Sequence, residues 1–403
     1  MERTLATSLS VLAIACSVAL SGCNSSNDDD TPAAISTKLT VSSVDYVATN
    51  TTPYSAYSQK ITYSMPSVNA GQTTTATAAV FVPQGNAPAS GWPIIAWAHG
   101  TTGVADVCAP SNSPSLGGVD PVIAQLVQLG YMVVAPDYEG LGSPEIHPYL
   151  NLASEGRSIV YAVMAARENV ATAGKRWVAY GHSQGGHAAL GAAQYASEAT
   201  GLDYLGTVAI APASNLGMAI SGGTQLASQL LAANQVESAI GILAQQITFS
   251  AYVTAGLKQT TSVDYSDVFD TQAAQIVPQV ETRCDVGNLI GADLVQHTKS
   301  TGNPLSYQGL KANFASVPAI STFLSTLSEP ATVKLNQPVM IIQGDADTTV
   351  PKQLTDKLVV DMSNLGSSVT YTVLPNATHV SAFTDSVPTV VGFIQGRFTT
   401  TTP

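Results

Sequence analysis

Short runs of apolar or β-branched residues recur along the chain, and helical patterns separate the later ones. Pro93–Ala98, Met132–Ala135, Trp177–Tyr180, Val208–Ile210, Val339–Ile342 and Val369–Leu374 show little alternation. A strand without alternation is buried on both faces, as in a parallel sheet covered by helices. Ile61–Met65 and Thr73–Val82 alternate like half-exposed strands. Helical stripes lie between the runs: Val122, Leu126 and Leu129; then Ile159, Val163 and Ala166; then Leu354, Leu358 and Met362. Gln184–Ala196 is Ala-rich and has no β-branched residue. Strands alternating with helices wind into a doubly wound sheet with right-handed crossovers. The pattern predicts an α/β fold around a mostly parallel, eight-stranded sheet. One segment, about Ser214 to Thr332, breaks the alternation and reads as a helical cap insertion. Its stripe Val236, Ile240, Leu243 and Ile247 is expected to be buried, with the insertion roofing the C-terminal edge of the sheet, where α/β folds bind ligands, and forming a pocket there.

Gly181-His182-Ser183-Gln184-Gly185-Gly186 directly follows one apolar run and opens the Ala-rich helix. That is the context of a G-x-S-x-G nucleophile elbow and predicts the α/β-hydrolase fold, with Ser183 as nucleophile. A serine hydroxyl needs a base. Of the six histidines, only His297 and His379 follow Ser183 at a distance. His297 lies inside the insertion, whereas His379 follows the last predicted strand, where the base belongs in the chain order Ser, acid, His. The acid is expected just after Val339–Ile342. The spacing Gly344-x-x-Asp347-x-x-Val350-Pro351 selects Asp347, with Asp345 as the alternative. The oxyanion hole is expected from the backbone N–H of Gln184 and that of Thr101 in His99-Gly100-Thr101-Thr102-Gly103, with Thr102 a close second. His99 itself is expected to be structural. There is no H-E-x-x-H motif, and neither a metal nor a cofactor is expected.

Arg3 and the apolar run Leu5–Leu20 precede Leu20-Ser21-Gly22-Cys23. Residues 1–22 read as a signal peptide, because the run is too short for a stable membrane span. Leu-Ser-Gly-Cys matches a bacterial lipobox, so Cys23 is expected to carry the lipid and residues 23–35 to form a polar tether. Residues 36–403 form the predicted hydrolase domain. This places the protein in the cell envelope, extracytoplasmic and lipid-anchored, with Asn24 after the lipidated cysteine favouring the outer membrane. Of four cysteines, Cys16 leaves with the signal and Cys23 takes the lipid; Cys108 and Cys284 remain as one possible disulfide in an oxidising compartment. A net charge of −12 disfavours a nucleic-acid partner.

His99-Gly100, Cys108-Ala109-Pro110-Ser111, Pro136-Asp137-Tyr138-Glu139-Gly140 and Gly181–Gly186 together resemble the secretory lipase family, whose best-known members are fungal lipases of the lipase A type. The likeness runs from about Val44 to the end and is loose across the insertion. It implies an α/β-hydrolase core with a helical cap, metal-free hydrolysis of acylglycerols or simpler esters, and Ser183, Asp347 and His379 as the triad. It also implies a disulfide from Cys108 into the cap, for which Cys284 is the partner left. The oxyanion loop departs from the fungal pattern, which has an acidic residue there. The leading expectation is a carboxylesterase or lipase acting on a small-molecule or lipid ester. A peptidase on the same scaffold and a non-catalytic ligand-binding envelope lipoprotein are the alternatives.

Overall fold

The computed structural model describes Leu39 and residues 41–399; the expected signal peptide (1–22), Cys23 and the expected tether (23–35) lie outside the described residues. Among the described residues, nine strands form one sheet: β1 (Val41–Asp45), β2 (Ser55–Pro66), β3 (Thr73–Pro83), β4 (Trp92–Ala98), β5 (Met132–Pro136), β6 (Ala173–His182), β7 (Asp203–Ile210), β8 (Val339–Gly344) and β9 (Val369–Leu374). Their spatial order is β1-β2-β3-β5-β4-β6-β7-β8-β9. β1 to β3 pair antiparallel, and β3 meets β5 antiparallel. Every pairing from β5 to β9 is parallel. The sheet thus has the α/β-hydrolase architecture, mixed but mostly parallel. All eight expected strands are present, and the count is corrected to nine by β1. Val41-Ser42-Ser43-Val44-Asp45 has no apolar run because it is an edge strand, exposed along nearly its whole length.

Alternate side chains of the buried strands feed two apolar layers. On one face Ile94, Ala96, Met132, Val134 and Trp177 pack against α2 (Leu152–Asn169) and α3 (Gln184–Tyr195). On the other, Ile95, Trp97, Val133, Val178 and Tyr180 pack against α1 (Asp120–Gln128) and the C-terminal helix His379–Thr399. A one-residue step along each strand switches layers, as a pleated strand requires.

The chain leaves β7 into α4 (Leu216–Ala232) and α5 (Val236–Leu257), passes through short helical turns and the helix Val286–Thr301, and returns to β8. Part of the expected α5 stripe packs inward: Ile240 and Ile247 share an apolar cluster with Val286, Ile290 and Leu294. Val236 does not join it and is 41% exposed, because it begins the helix. The Cys108–Cys284 disulfide joins the loop after β4 to the segment just before Val286.

Candidate active site

Ser183 stands between the end of β6 and the start of α3 with φ 60° and ψ −124°, a backbone conformation rare outside glycine. The turn is tight enough to exclude side chains at its neighbours. A Cβ on Gly185 would lie 2.0 Å from the carbonyl oxygen of Ala98, and one on Gly181 would lie 2.1 Å from that of Gly185. The Ser183 N–H donates to the carbonyl of Ile210 at 2.8 Å, tying the elbow to the end of β7. The N-terminus of α3 opens at Gln184, where free N–H groups and the helix dipole favour an anion.

The loops after β8 and β9 bring two further expected residues together. His379 Nδ1 lies 2.7 Å from Asp347 Oδ2. Asp347 is buried, and its Oδ1 accepts the N–H groups of Thr349 at 2.8 Å and Val350 at 2.9 Å. Gln343 Nε2 donates to Oδ2 at 3.0 Å. Asp345 is exposed and accepts the Asn376 N–H at 2.5 Å, so it shapes the turn that carries His379 and does not touch the imidazole. Between the two carboxylates weighed from the sequence, Asp347 is the one paired with His379.

His182, within the elbow, had no expected role, yet its Nε2–H donates to the His379 carbonyl at 3.0 Å. Its ring stacks on Phe383 with centroids 5.2 Å apart. Burial, and next the charge His379 can carry, push its pKa down to about 4. It is therefore a neutral donor near pH 7, fixing the backbone of His379 without placing a second cation beside it. The only sequence signal was its position next to the nucleophile.

The loop after β4 abuts the elbow: a Cβ on Gly100 would lie 3.8 Å from Ser183 Cβ. Thr101 Oγ1 lies 2.9 Å from Tyr149 Oη, while the Thr102 hydroxyl is buried without a partner. His99 is structural in its contacts, stacked 4.2 Å from Tyr138 with its ring nitrogens against the carbonyls of Gly100 and Asp137. Asp137, buried, accepts from the N–H and hydroxyl of Ser111 at 2.8 and 2.5 Å and from Thr77 at 2.6 Å. Two of the sequence motifs thus hold one another and brace the loop that carries Thr101. His297 lies on the helix Val286–Thr301, hydrogen-bonded to Ser306.

A cavity of about 460 Å³ opens at Ser183 and Gln184. Its walls include Tyr149 and Leu150 from the core, and Met218, Leu226, Phe249 and Val253 from α4 and α5. None of Val236, Ile240, Leu243 and Ile247 lines it. The pocket face of α5 carries Ile242, Phe249 and Val253 instead.

A family model described as secretory lipase matches residues 115–403. The chain belongs to the secretory lipase family. It is accordingly an ester-cleaving serine hydrolase of a secreted class. No match was found among curated proteins. Among solved structures, Candida antarctica lipase A in its closed state superposes with a TM-score of 0.65 at 18% identity, covering 90% of this chain and 82% of that one. The rice cell wall degrading esterase LipA from Xanthomonas oryzae gives a TM-score of 0.64 at 19% identity, covering 89% of this chain and 98% of that one. At such identity these two likenesses concern the fold of this secretory lipase.

Proposed function

We propose that Ser183, His379 and Asp347 are the catalytic triad of this lipase and that the N–H groups of Gln184 and Thr101 form its oxyanion hole. The observation that carries the reading is the 2.7 Å contact of His379 Nδ1 with a buried carboxylate whose other oxygen is taken by two backbone N–H groups. Such a carboxylate holds one imidazole tautomer and leaves Nε2 free to accept the Ser183 proton. Ser183 Oγ attacks the ester carbonyl, and its proton passes to His379 Nε2. The carbonyl oxygen becomes an oxyanion held by the two N–H donors. The ester C–O bond then breaks, and His379 gives its proton to the departing alcohol. Water, deprotonated by His379, attacks the acyl-enzyme and releases the carboxylic acid with Ser183 regenerated.

The insertion at about 214–332 acts as a cap whose apolar wall receives the acyl chain. Support comes from the cavity, which borders Ser183 and is walled by α4 and α5. A fluorophosphonate probe should label the protein at Ser183, and Ser183→Ala or His379→Ala should lower esterase turnover on the order of 10³- to 10⁶-fold. Labelling at another residue would sink the assignment.

The mature protein is proposed to be a lipoprotein, cut after Gly22, lipidated on Cys23 and tethered to the envelope, in the outer membrane, through residues 23–35. Leu20-Ser21-Gly22-Cys23 supports this. Cys23→Ser should move the protein from the membrane fraction into a soluble extracytoplasmic pool; an unlipidated mature N-terminus elsewhere would end the reading.

A further inference from the structure

Two glycines let α2 and α3 approach until their backbones touch. A Cβ on Gly156 would lie 2.4 Å from the carbonyl carbon of Gly191, and one on Gly191 would lie 2.6 Å from the carbonyl oxygen of Leu152. This contact sets the wholly buried Glu155 of α2 beside the first turn of α3. Its Oε1 accepts from Gln184 Nε2 at 2.7 Å and from the Leu150 N–H at 2.9 Å. Its Oε2 accepts from His187 Nδ1 at 2.6 Å, and His187 Nε2 donates onward to the Ser328 carbonyl at 3.0 Å. Gln184 Nε2 also donates to His147 Nε2 at 2.8 Å, while His147 Nδ1 donates to the Glu139 carbonyl at 2.8 Å. A carboxylate buried this completely is costly unless it is paired and hydrogen-bonded, as it is here. The triad does not use it.

Both sides of the oxyanion hole depend on this one group. Gln184 carries one N–H donor, and its side chain is clamped by Glu155 and His147. Leu150 has a φ of 55°, an uncommon conformation for a branched side chain, and its N–H is the one Glu155 holds. The adjoining Tyr149 places its hydroxyl 2.9 Å from Thr101 Oγ1 on the other oxyanion loop. We propose that Glu155 is a positioning residue that aligns the two oxyanion donors, directly through the Gln184 side chain and indirectly through the Leu150–Tyr149 turn and Thr101. The inference rests on Ser183 being the nucleophile.

The hydrogen bonds, not the charge, do the aligning. In Glu155→Gln the amide oxygen accepts from Gln184 and Leu150, and the NH₂ donates to a neutral His187. Turnover per active site should therefore stay within about threefold of wild type. Glu155→Leu keeps the bulk and loses the acceptors. Its kcat per active site should fall about 10- to 100-fold with KM changed less than about threefold, because misplaced donors weaken only the transition state. Gln184→Leu leaves the backbone N–H and the Leu150 arm in place and should show part of that fall, at least about threefold, and the double variant should be no worse than Glu155→Leu alone. Sites are counted by fluorophosphonate titration, so misfolded protein lowers the count and not the rate per site. If Glu155→Leu does not fold, Gln184→Leu alone decides. Wild-type kcat per site in Gln184→Leu would overturn the proposal, as would a Glu155→Gln loss equal to that of Glu155→Leu. Wild-type protein that takes up no probe at Ser183 would overturn the nucleophile assignment instead.

Discussion

Exchanging one atom of Asp347 tests the triad. In Asp347→Asn the amide must choose which way to face. The Oδ1 position receives the N–H groups of Thr349 and Val350, at 2.8 and 2.9 Å, so only oxygen fits there. The NH₂ is left in the Oδ2 position, 2.7 Å from His379 Nδ1 and 3.0 Å from Gln343 Nε2. Gln343 has no ready rotation to receive it: its Oε1 accepts from Thr355 at 2.7 Å and its Nε2 donates to the Val350 carbonyl at 3.0 Å. His379 must then accept at Nδ1, carry its proton on Nε2 and lose the lone pair that Ser183 needs. A wrong tautomer of this kind costs on the order of 10⁴ in kcat, or about 5 kcal/mol of transition-state stabilisation. Asp345→Asn retains an oxygen for the Asn376 N–H and should cost less than about fivefold. Initial rates on a short-chain p-nitrophenyl ester, normalised to titrated sites, separate kcat from KM for both variants. A loss below about tenfold in Asp347→Asn, or a larger loss in Asp345→Asn, would refute the reasoning.

Each CH₂ of an acyl chain buried in the cavity contributes up to about 0.8 kcal/mol, so kcat/KM on p-nitrophenyl esters should rise from acetate by up to about fourfold per methylene and then fall once the pocket is full; Phe249→Asn should flatten that rise, and a steady preference for acetate would exclude acyl binding there. Reducing the Cys108–Cys284 bridge opens a loop with a sequence separation of 176, for which chain entropy sets a ceiling of about 5 kcal/mol. The melting temperature should drop, and activity should drop with it because the bridge ties the β4 loop to the insertion. Burial alone would raise the Glu155 carboxyl, but the charge of His187 and its hydrogen bond outweigh that and hold the pKa down at about 2 instead of 4.5. The stabilisation from this lowered pKa is full above about pH 4.5 and is lost as pH falls toward 2, up to about 3 kcal/mol. Urea unfolding between pH 5 and pH 3 should show a steeper loss for wild type than for Glu155→Gln, and equal slopes would contradict the assignment.

The chain announces its sheet and its elbow because both depend on local pattern. Eight strands are apolar or alternating runs, and Ser183 sits at a strand-to-helix step that its glycine neighbours mark. Chain order then separates His379 from His297. Features set by the packing of distant segments are silent in the sequence. β1 is polar because it lies at an edge, so periodicity passes over it. Helix α5 is apolar on two faces; the sequence shows the stripe containing Ile240 and Ile247, but not that Phe249 and Val253 face the cavity while those two face another helix. Glu155, Gln184 and His187 share no motif, and only the closeness of α2 to α3 at Gly156 and Gly191 brings them together.

The sheet explains how such chemistry can be held apart from the cap above it. Ser183 follows β6, Asp347 follows β8, His379 follows β9 and Thr101 follows β4, so each candidate residue lies just beyond the C-terminal end of a parallel strand. Parallel register fixes those four strand ends relative to one another, and the loops need only carry the side chains a short way. The antiparallel strands β1 to β3 supply none of them. The insertion leaves β7 at that same edge, so it can cover Ser183 without moving the residues proposed to break the ester. Alignment finer than strand register then has to come from beneath the edge. The Glu155 cluster lies there, wholly buried between α2 and α3, and His187 ties it to the end of the insertion at the Ser328 carbonyl.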